Sequence, residues 1–290
     1  MSRHAHPLTA EDLIDRALAE DVGPGDWTTQ WTVPPHTRAR GRIVAKAEGV
    51  IAGVDIAVAV FHRLDPSLSI SVEKPDGEAV RPGDIVIRIE GTAHGILTGE
   101  RTALNFLQRL SGVATLTRQF VDAVAGTGAR ILDTRKTTPG WRELEKAAVR
   151  AGGGSNHRFG LHDMVLIKEN HATAAGGLAA AIARVRERNE ARLEVEVEAH
   201  SLDDVAIALD GGVDRILLDN MDVQTLTTAV RQVREHAQRT GVAAPRLEAS
   251  GNMTLQRVAE VARTGVDDIS IGALTHSAPA LDLSLLLDIG

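Results

Sequence analysis

Between residues 131 and 171 the chain carries Arg135, Lys136, His157, Arg158, Lys168 and His171 around Gly152, Gly153 and Gly154. Lys and Arg outnumber Asp and Glu in this stretch by seven to five, while the whole chain has a formal net charge of −7. A local excess of cations in an acidic protein predicts a pocket for a small polyanion, because nucleic acid would require a wider basic surface. The glycines do not form a P-loop, since no Gly-Lys-Ser/Thr follows them. A helix ending after residues 143–150 accounts for the first, and a flexible approach to His157 and Arg158 accounts for the others. A lone loop histidine, such as His171, is ordinarily one whose hydrogen bonds are satisfied locally. Beside Arg158 and Lys168, His157 is expected to donate to an anion.

The acids complement these cations. Residues 193–198 read Leu-Glu-Val-Glu-Val-Glu, and period-two alternation puts three carboxylates on one face of a strand. If the valines face helices, the glutamates point into a barrel interior and need cations or a metal. Lys168 and Arg135 are the expected partners; a solvated edge strand would show the same alternation. Asp219 follows an apolar run and, taken alone, reads as the N-cap of a helix starting near Asp222. Together with Glu198 it becomes a second oxygen ligand. Two isolated carboxylates suit Mg²⁺, whose shell is completed by water and substrate phosphates. Ser250, Gly251 and Asn252, ahead of a helix opened by Thr254, offer backbone N–H groups to a phosphate, and Gly272 repeats that chemistry. Each turn alone is ordinary. Arg101 is expected at the start of a helix, where Glu100 favours the dipole and Arg101 opposes it. A cation kept there despite that penalty points to a use.

Scattered residues act together only if a fold gathers them. Thr9 and Asp12 read as an N-cap and a first-turn acid. Strands are expected at 40–47, 69–73 and 84–89, with turn residues between them, and helix over 97–124 as one segment or two; the first part is therefore α+β. From residue 130, apolar strands recur near Ile131, Val165, Val195, Ile216, Leu247 and Ile269. Helical segments such as 176–188, 222–238 and 254–263 follow the first five. This alternation implies right-handed βαβ units, a parallel sheet and an incomplete (β/α) barrel of about six strands. A doubly wound sheet is disfavoured, because no G-x-G-x-x-G follows these strands. In a barrel, Asp133, Arg135, Lys136, Lys168, Glu198, Asp219, Ser250, Gly251, Asn252 and Gly272 all fall at strand ends and converge on the C-terminal rim. The apolar tail, 280–287, is expected to pack back onto the body.

Composition removes several alternatives. The absence of cysteine excludes disulfides, thiolate metal sites and a Cys nucleophile. Four Phe, three Trp and no Tyr make a base-stacking platform improbable. No His spacing points to zinc. The start of the chain has no apolar stretch of signal-peptide length, and the apolar run 50–61 is interrupted by Asp55 and too short to span a bilayer, so a cytoplasmic location is expected.

The motifs ILDTRKTTPG, GGGSNHRFGLHD, LIKENH, EVEVE, LLDNM, ASGN and DDISIGALTHS, in that order from about residue 99 to 279, resemble the quinolinate phosphoribosyltransferase family. The resemblance implies a pentosyltransferase that converts quinolinate and 5-phosphoribosyl-1-pyrophosphate to nicotinate mononucleotide, pyrophosphate and CO₂ in NAD biosynthesis, with Mg²⁺. It also implies an N-terminal α/β sandwich domain (1–115), a barrel domain (116–290), and a homodimer in which Arg101 enters the partner's pocket. Quinolinate would be held by Arg101, Arg135, His157, Arg158 and Lys168. Phosphoribosyl pyrophosphate would be held by Lys136, Glu198, Asp219, Ser250, Gly251, Asn252 and Gly272. Lys136, Lys168, Glu198 and Asp219 would carry the chemistry, with Glu198 and Asp219 near the metal. A related transferase acting on nicotinate would need fewer arginines around its acceptor, and a non-catalytic sugar-phosphate binder would have no need of Glu198, Asp219 and Lys168 together. Trp141, after Pro139 and Gly140, departs from the family's small aliphatic and is expected only to pack.

Overall fold

The computed structural model describes residues 9–289. In chain order the elements are α1 (Ala10–Val22), α2 (Trp27–Thr32), β1 (Arg38–Ala45), β2 (Gly49–Val50), α3 (Val54–Leu64), β3 (Ser69–Val72), β4 (Ala79–Val80), β5 (Ile85–Thr92) and α4 (Ala93–Ala123). There follow β6 (Arg130–Leu132), α5 (Arg142–Ala151), β7 (Val165–Ile167), α6 (Glu169–Ala175), α7 (Leu178–Arg188), β8 (Val195–Ala199), α8 (Leu202–Gly211), β9 (Arg215–Asp219) and α9 (Val223–Thr240). The chain ends with β10 (Arg246–Ser250), α10 (Leu255–Arg263), β11 (Asp268–Ser270), α11 (Ala273–His276) and β12 (Leu283–Ile289). Two compact units divide them: one runs to Arg118 and adds 137–153 and the segment from Leu274 onward, and the other comprises 119–136 and 154–273. No helix among the described residues is long and apolar enough to cross a membrane.

The first unit is built on an antiparallel sheet of order β12-β1-β5-β3. Ile43, Ile87 and Ile89 are buried in it, as period-two patterning requires. Thr9 and Asp12 form a capping box that opens α1. The apolar tail becomes an edge strand, with β12 pairing along β1 from Ala39↔Ile289 to Ala45↔Leu283. The helical region expected over 97–124 is a single helix of 31 residues that starts earlier. Arg101 therefore sits in the third turn of α4, where the macrodipole exerts little force. Contrary to expectation, Arg101 thus does not oppose the helix dipole. Trp141 stacks on Phe106 with ring centroids 4.7 Å apart.

The second unit is a parallel sheet of order β6-β11-β10-β9-β8-β7. Strands β7 to β11 lie in sequence order and β6 returns beside β11, which is the cyclic order of a (β/α) barrel with its seam between β6 and β7. On the seam side of β6, the Ser155 N–H donates to the Ile131 carbonyl at 2.8 Å, and Leu132 and Ser155 form an isolated parallel bridge. The barrel is incomplete, as expected, and a short extended segment occupies the open edge.

Candidate active site

The barrel interior is not apolar throughout. Strand register puts Glu196 opposite Arg215 and Glu248 opposite Asp268. All three acids are completely buried. Arg215 serves them together: its guanidinium lies 3.4 Å from Glu196, 2.8 Å from Glu248 and 3.1 Å from Asp268. Arg130 and Arg246, at the starts of β6 and β10, reach Asp268 at 2.8 and 3.0 Å. Buried carboxylates persist only when such partners replace water.

Above this layer sits His157, its side chain only 7% exposed. The buried Asp133 carboxylate fixes the approach, accepting from the Asn156 amide at 2.5 Å and from the His157 N–H at 2.9 Å. The ring then directs Nε2 at Glu196 (3.0 Å) and Glu248 (3.3 Å). Burial pulls the imidazole pKa down, but hydrogen bonds to the two glutamates outweigh it and raise the value to about 9. The Arg158 N–H donates to Nδ1 at 2.7 Å, a contact that suits the neutral ring. Two carboxylates outweigh one amide, because charge-assisted bonds are about twice as strong as neutral ones. Burial pushes Glu196 up, whereas His157 and Arg215 overcome burial at Glu248 and hold it down.

The rim carries the second set. Lys168 Nζ lies 3.4 Å from Glu198, and His200 spans the two rim acids at 3.2 Å from Glu198 and 3.8 Å from Asp219. Asn220 donates to Asp219 at 2.7 Å. Burial and the neighbouring Arg135 guanidinium pull Arg158 below the usual arginine range. Two cations set together in this way form a site that a counter-anion would relieve.

One cavity of about 670 Å³ gathers these groups, and its walls include Arg135, Lys136, His157, Arg158, Lys168, Glu198, Asp219, Ser250, Gly251 and Asn252. Gly272 is not among its lining residues, and Arg101 is an exposed residue of the other unit. Several expectations change. The partners of the strand glutamates are graded by depth: Lys168 meets Glu198, but Arg215 and His157 meet Glu196. His157 turns two carboxylates of the protein itself into its partners. Asp219 is not an N-cap, since Asp222 caps α9 by accepting from the Thr225 N–H. Gly152 does end α5, as its C-cap with φ −71°, and a Cβ there would meet Ala114 O and Thr117 Cβ. His171 accepts from the Lys168 N–H at 3.0 Å and so caps α6. Sequence reasoning missed Arg215, Glu248 and His200. Arg215 opens a strand, His200 follows one and Glu248 sits in mid-strand, and none of these positions carries partner information until the register is known.

Fold and site together define a (β/α)-barrel protein whose rim cavity brings five cationic side chains together with the Glu198 and Asp219 carboxylates. The family model described as quinolinate phosphoribosyl transferase, C-terminal domain, matches residues 113–286, and its N-terminal counterpart matches 26–111. The chain belongs to the quinolinate phosphoribosyl transferase family. It is 46% identical over 280 residues to a probable nicotinate-nucleotide pyrophosphorylase (carboxylating) of Synechocystis, covering 96% of this chain and 92% of that one. It is 42% identical to the chloroplastic enzyme of that name from Arabidopsis thaliana, with 98% and 84% covered. The crystal structure of NadC from Streptococcus pyogenes superposes over 100% of both chains with a TM-score of 0.91 at 37% identity.

Proposed function

We propose that this chain transfers the phosphoribosyl group of 5-phosphoribosyl-1-pyrophosphate to the ring nitrogen of quinolinate and releases the C2 carboxylate as CO₂, giving nicotinate mononucleotide and pyrophosphate in NAD biosynthesis. The observation that carries this reading is a single cavity, in a chain of this family, that offers five cationic side chains, two rim carboxylates and a glycine-bearing turn.

Quinolinate is a planar dicarboxylate, and the forked donors of Arg135 and Arg158 suit it, with the His157 imidazolium and Lys168 adding charge. Lys136 and Lys168 meet phosphate oxygens as point charges. The Ser250, Gly251 and Asn252 turn takes the 5-phosphate, and Gly272 is assigned to the same group. The pyridine nitrogen bonds to the anomeric carbon as the bond to pyrophosphate breaks, through an oxocarbenium-like state. Glu198 and Asp219, close to the ribose, stabilise that developing positive charge. The quaternary nitrogen then holds the electron pair left at C2 when CO₂ departs, and the carbanion takes a proton. No covalent enzyme intermediate or general base is needed.

Glu198 and Asp219 are hard oxygen donors that already draw Lys168 and His200 towards them, so the donor set fits Mg²⁺. That ion would neutralise charge on the pyrophosphate leaving group. Arg101, exposed on α4, is assigned to the pocket of a second copy in a homodimer. A cytoplasmic location is part of the same proposal.

Purified protein with Mg²⁺, phosphoribosyl pyrophosphate and carboxyl-labelled quinolinate is expected to release labelled CO₂ and nicotinate mononucleotide. Turnover of nicotinate instead, or no CO₂ from quinolinate, would overturn the assignment. For the dimer, chains carrying Arg101→Ala and Lys168→Ala, each inactive alone, are expected to regain part of their activity when mixed. Failure in proven mixed dimers would return Arg101 to its own chain.

A further inference from the structure

The turns after β9 and β10 are locked to each other. The Asn220 N–H donates to the Ser250 carbonyl at 3.0 Å, and the Asn252 amide donates to Asn220 Oδ1 at 3.2 Å. Asn220 and Asn252 both adopt left-handed backbone, with φ of 55° and 48°. Between them Gly251, at φ 95°, packs so closely that a Cβ would overlap the Asn220 side chain. Arg257, in the first turn of α10, closes this arrangement from outside. One of its terminal nitrogens donates to the Gly251 carbonyl at 3.2 Å and the other to the Met221 carbonyl at 2.7 Å. A single guanidinium thus bridges two loops that arise from different strands.

We propose that Arg257 is a positioning residue for the sugar-phosphate half of the cavity, setting the spacing between the Gly251–Asn252 amides and the Asp219 carboxylate. The proposal rests on the phosphoribosyl reading given above. Its physical basis is twofold. In a trans peptide the N–H and C=O point in opposite directions, so holding the Gly251 carbonyl sends the Asn252 N–H away from α10. Among the described residues no acceptor takes that N–H, which leaves it available to a phosphate oxygen. Meanwhile Met221 follows Asn220, whose amide holds Asp219, so the second carbonyl ties the acid to the same frame. Each carbonyl is met by its own nitrogen of one rigid planar fork, whereas a lysine keeps the charge but offers a single nitrogen on a flexible stem and fixes the spacing of the two carbonyls less firmly.

The test compares Arg257→Lys and Arg257→Gln with the parent enzyme. Binding of ribose 5-phosphate and of quinolinate is measured separately by calorimetry, alongside KM for both substrates and the thermal midpoint. Both variants are expected to weaken ribose 5-phosphate roughly tenfold or more and to raise KM for phosphoribosyl pyrophosphate in step, with quinolinate affinity within about twofold of the parent. A Lys variant with parental affinity for ribose 5-phosphate would overturn the proposal, because charge alone would then suffice. Equal weakening of quinolinate, or loss of folding in both variants, would overturn it as well, since Arg257 would then support the barrel at large. A parent enzyme that binds no ribose 5-phosphate would instead overturn the phosphoribosyl reading, and the proposal with it.

Discussion

His157 Nε2 lies 3.0 Å from Glu196 Oε2, with the histidine side chain 7% exposed and the glutamate fully buried. The pair joins the rim cavity to the ionic layer beneath it, because Glu196 also meets Arg215 and Glu248 also meets His157. A cation at the floor of the cavity is therefore maintained by two buried acids, one of which, Glu248, also lines the cavity.

That contact predicts a pH dependence with a definite sign. The His157 pKa is raised from 6.5 to about 9 in the fold. Its contribution to stability is fully present below pH 6.5 and is lost as pH rises through about 9. Urea midpoints measured across this window should fall more steeply for the parent than for His157→Gln, and quinolinate binding should weaken over the same range. A parent whose stability rises more steeply than the variant's would contradict the assigned charge.

Arg215→Met should be strongly destabilising, by about 3–5 kcal/mol in urea unfolding, because it strips a cation from three buried acids. Adding Glu248→Gln to that variant should recover part of the loss, since one orphaned charge is then removed. Strict additivity of the two changes would show that the contacts are not coupled.

Arg158→Lys retains charge but loses the fork. Steady-state kinetics should show KM for quinolinate raised about tenfold or more and KM for phosphoribosyl pyrophosphate almost unmoved. An equal rise in both would remove Arg158 from the acceptor half of the site.

Glu198→Gln and Asp219→Asn should each lower kcat by about 10²–10³, with folding retained, because under the proposed mechanism a charge that stabilises the developing oxocarbenium is replaced by a neutral amide. Both acids are partly exposed, so thermal midpoints should shift little. Unchanged kcat in either variant would count against the role given to that residue.

Gly152→Ala tests packing against conformation. Its φ of −71° accepts any residue, whereas the added Cβ would crowd Ala114 O and Thr117 on α4. A loss of about 1–3 kcal/mol is expected from overpacking. A neutral substitution in thermal unfolding would mean that α4 yields freely at this point.

What the chain determined by itself was local and periodic. Six apolar strands alternating with amphipathic helices specify a parallel β/α sheet, and the polar residues that end those strands must then meet at one rim. Ten of the residues singled out from sequence line the same cavity for that reason. Caps at Thr9 and Thr254 were equally legible, because a cap is decided within four residues. Tertiary structure alone decided the partners. Glu194, Glu196 and Glu198 look alike in sequence, yet their side chains are 44%, 0% and 12% exposed, because the strand runs from the barrel's foot to its rim. Arg215 opens one strand and Asp268 another, and only the register between strands brings them to 3.1 Å. The same holds for Arg257, whose two carbonyl partners lie in loops that meet only after the barrel has formed. Side-chain chemistry is written along the chain, but the pairing of buried charges depends on distances between strands, and folding sets those.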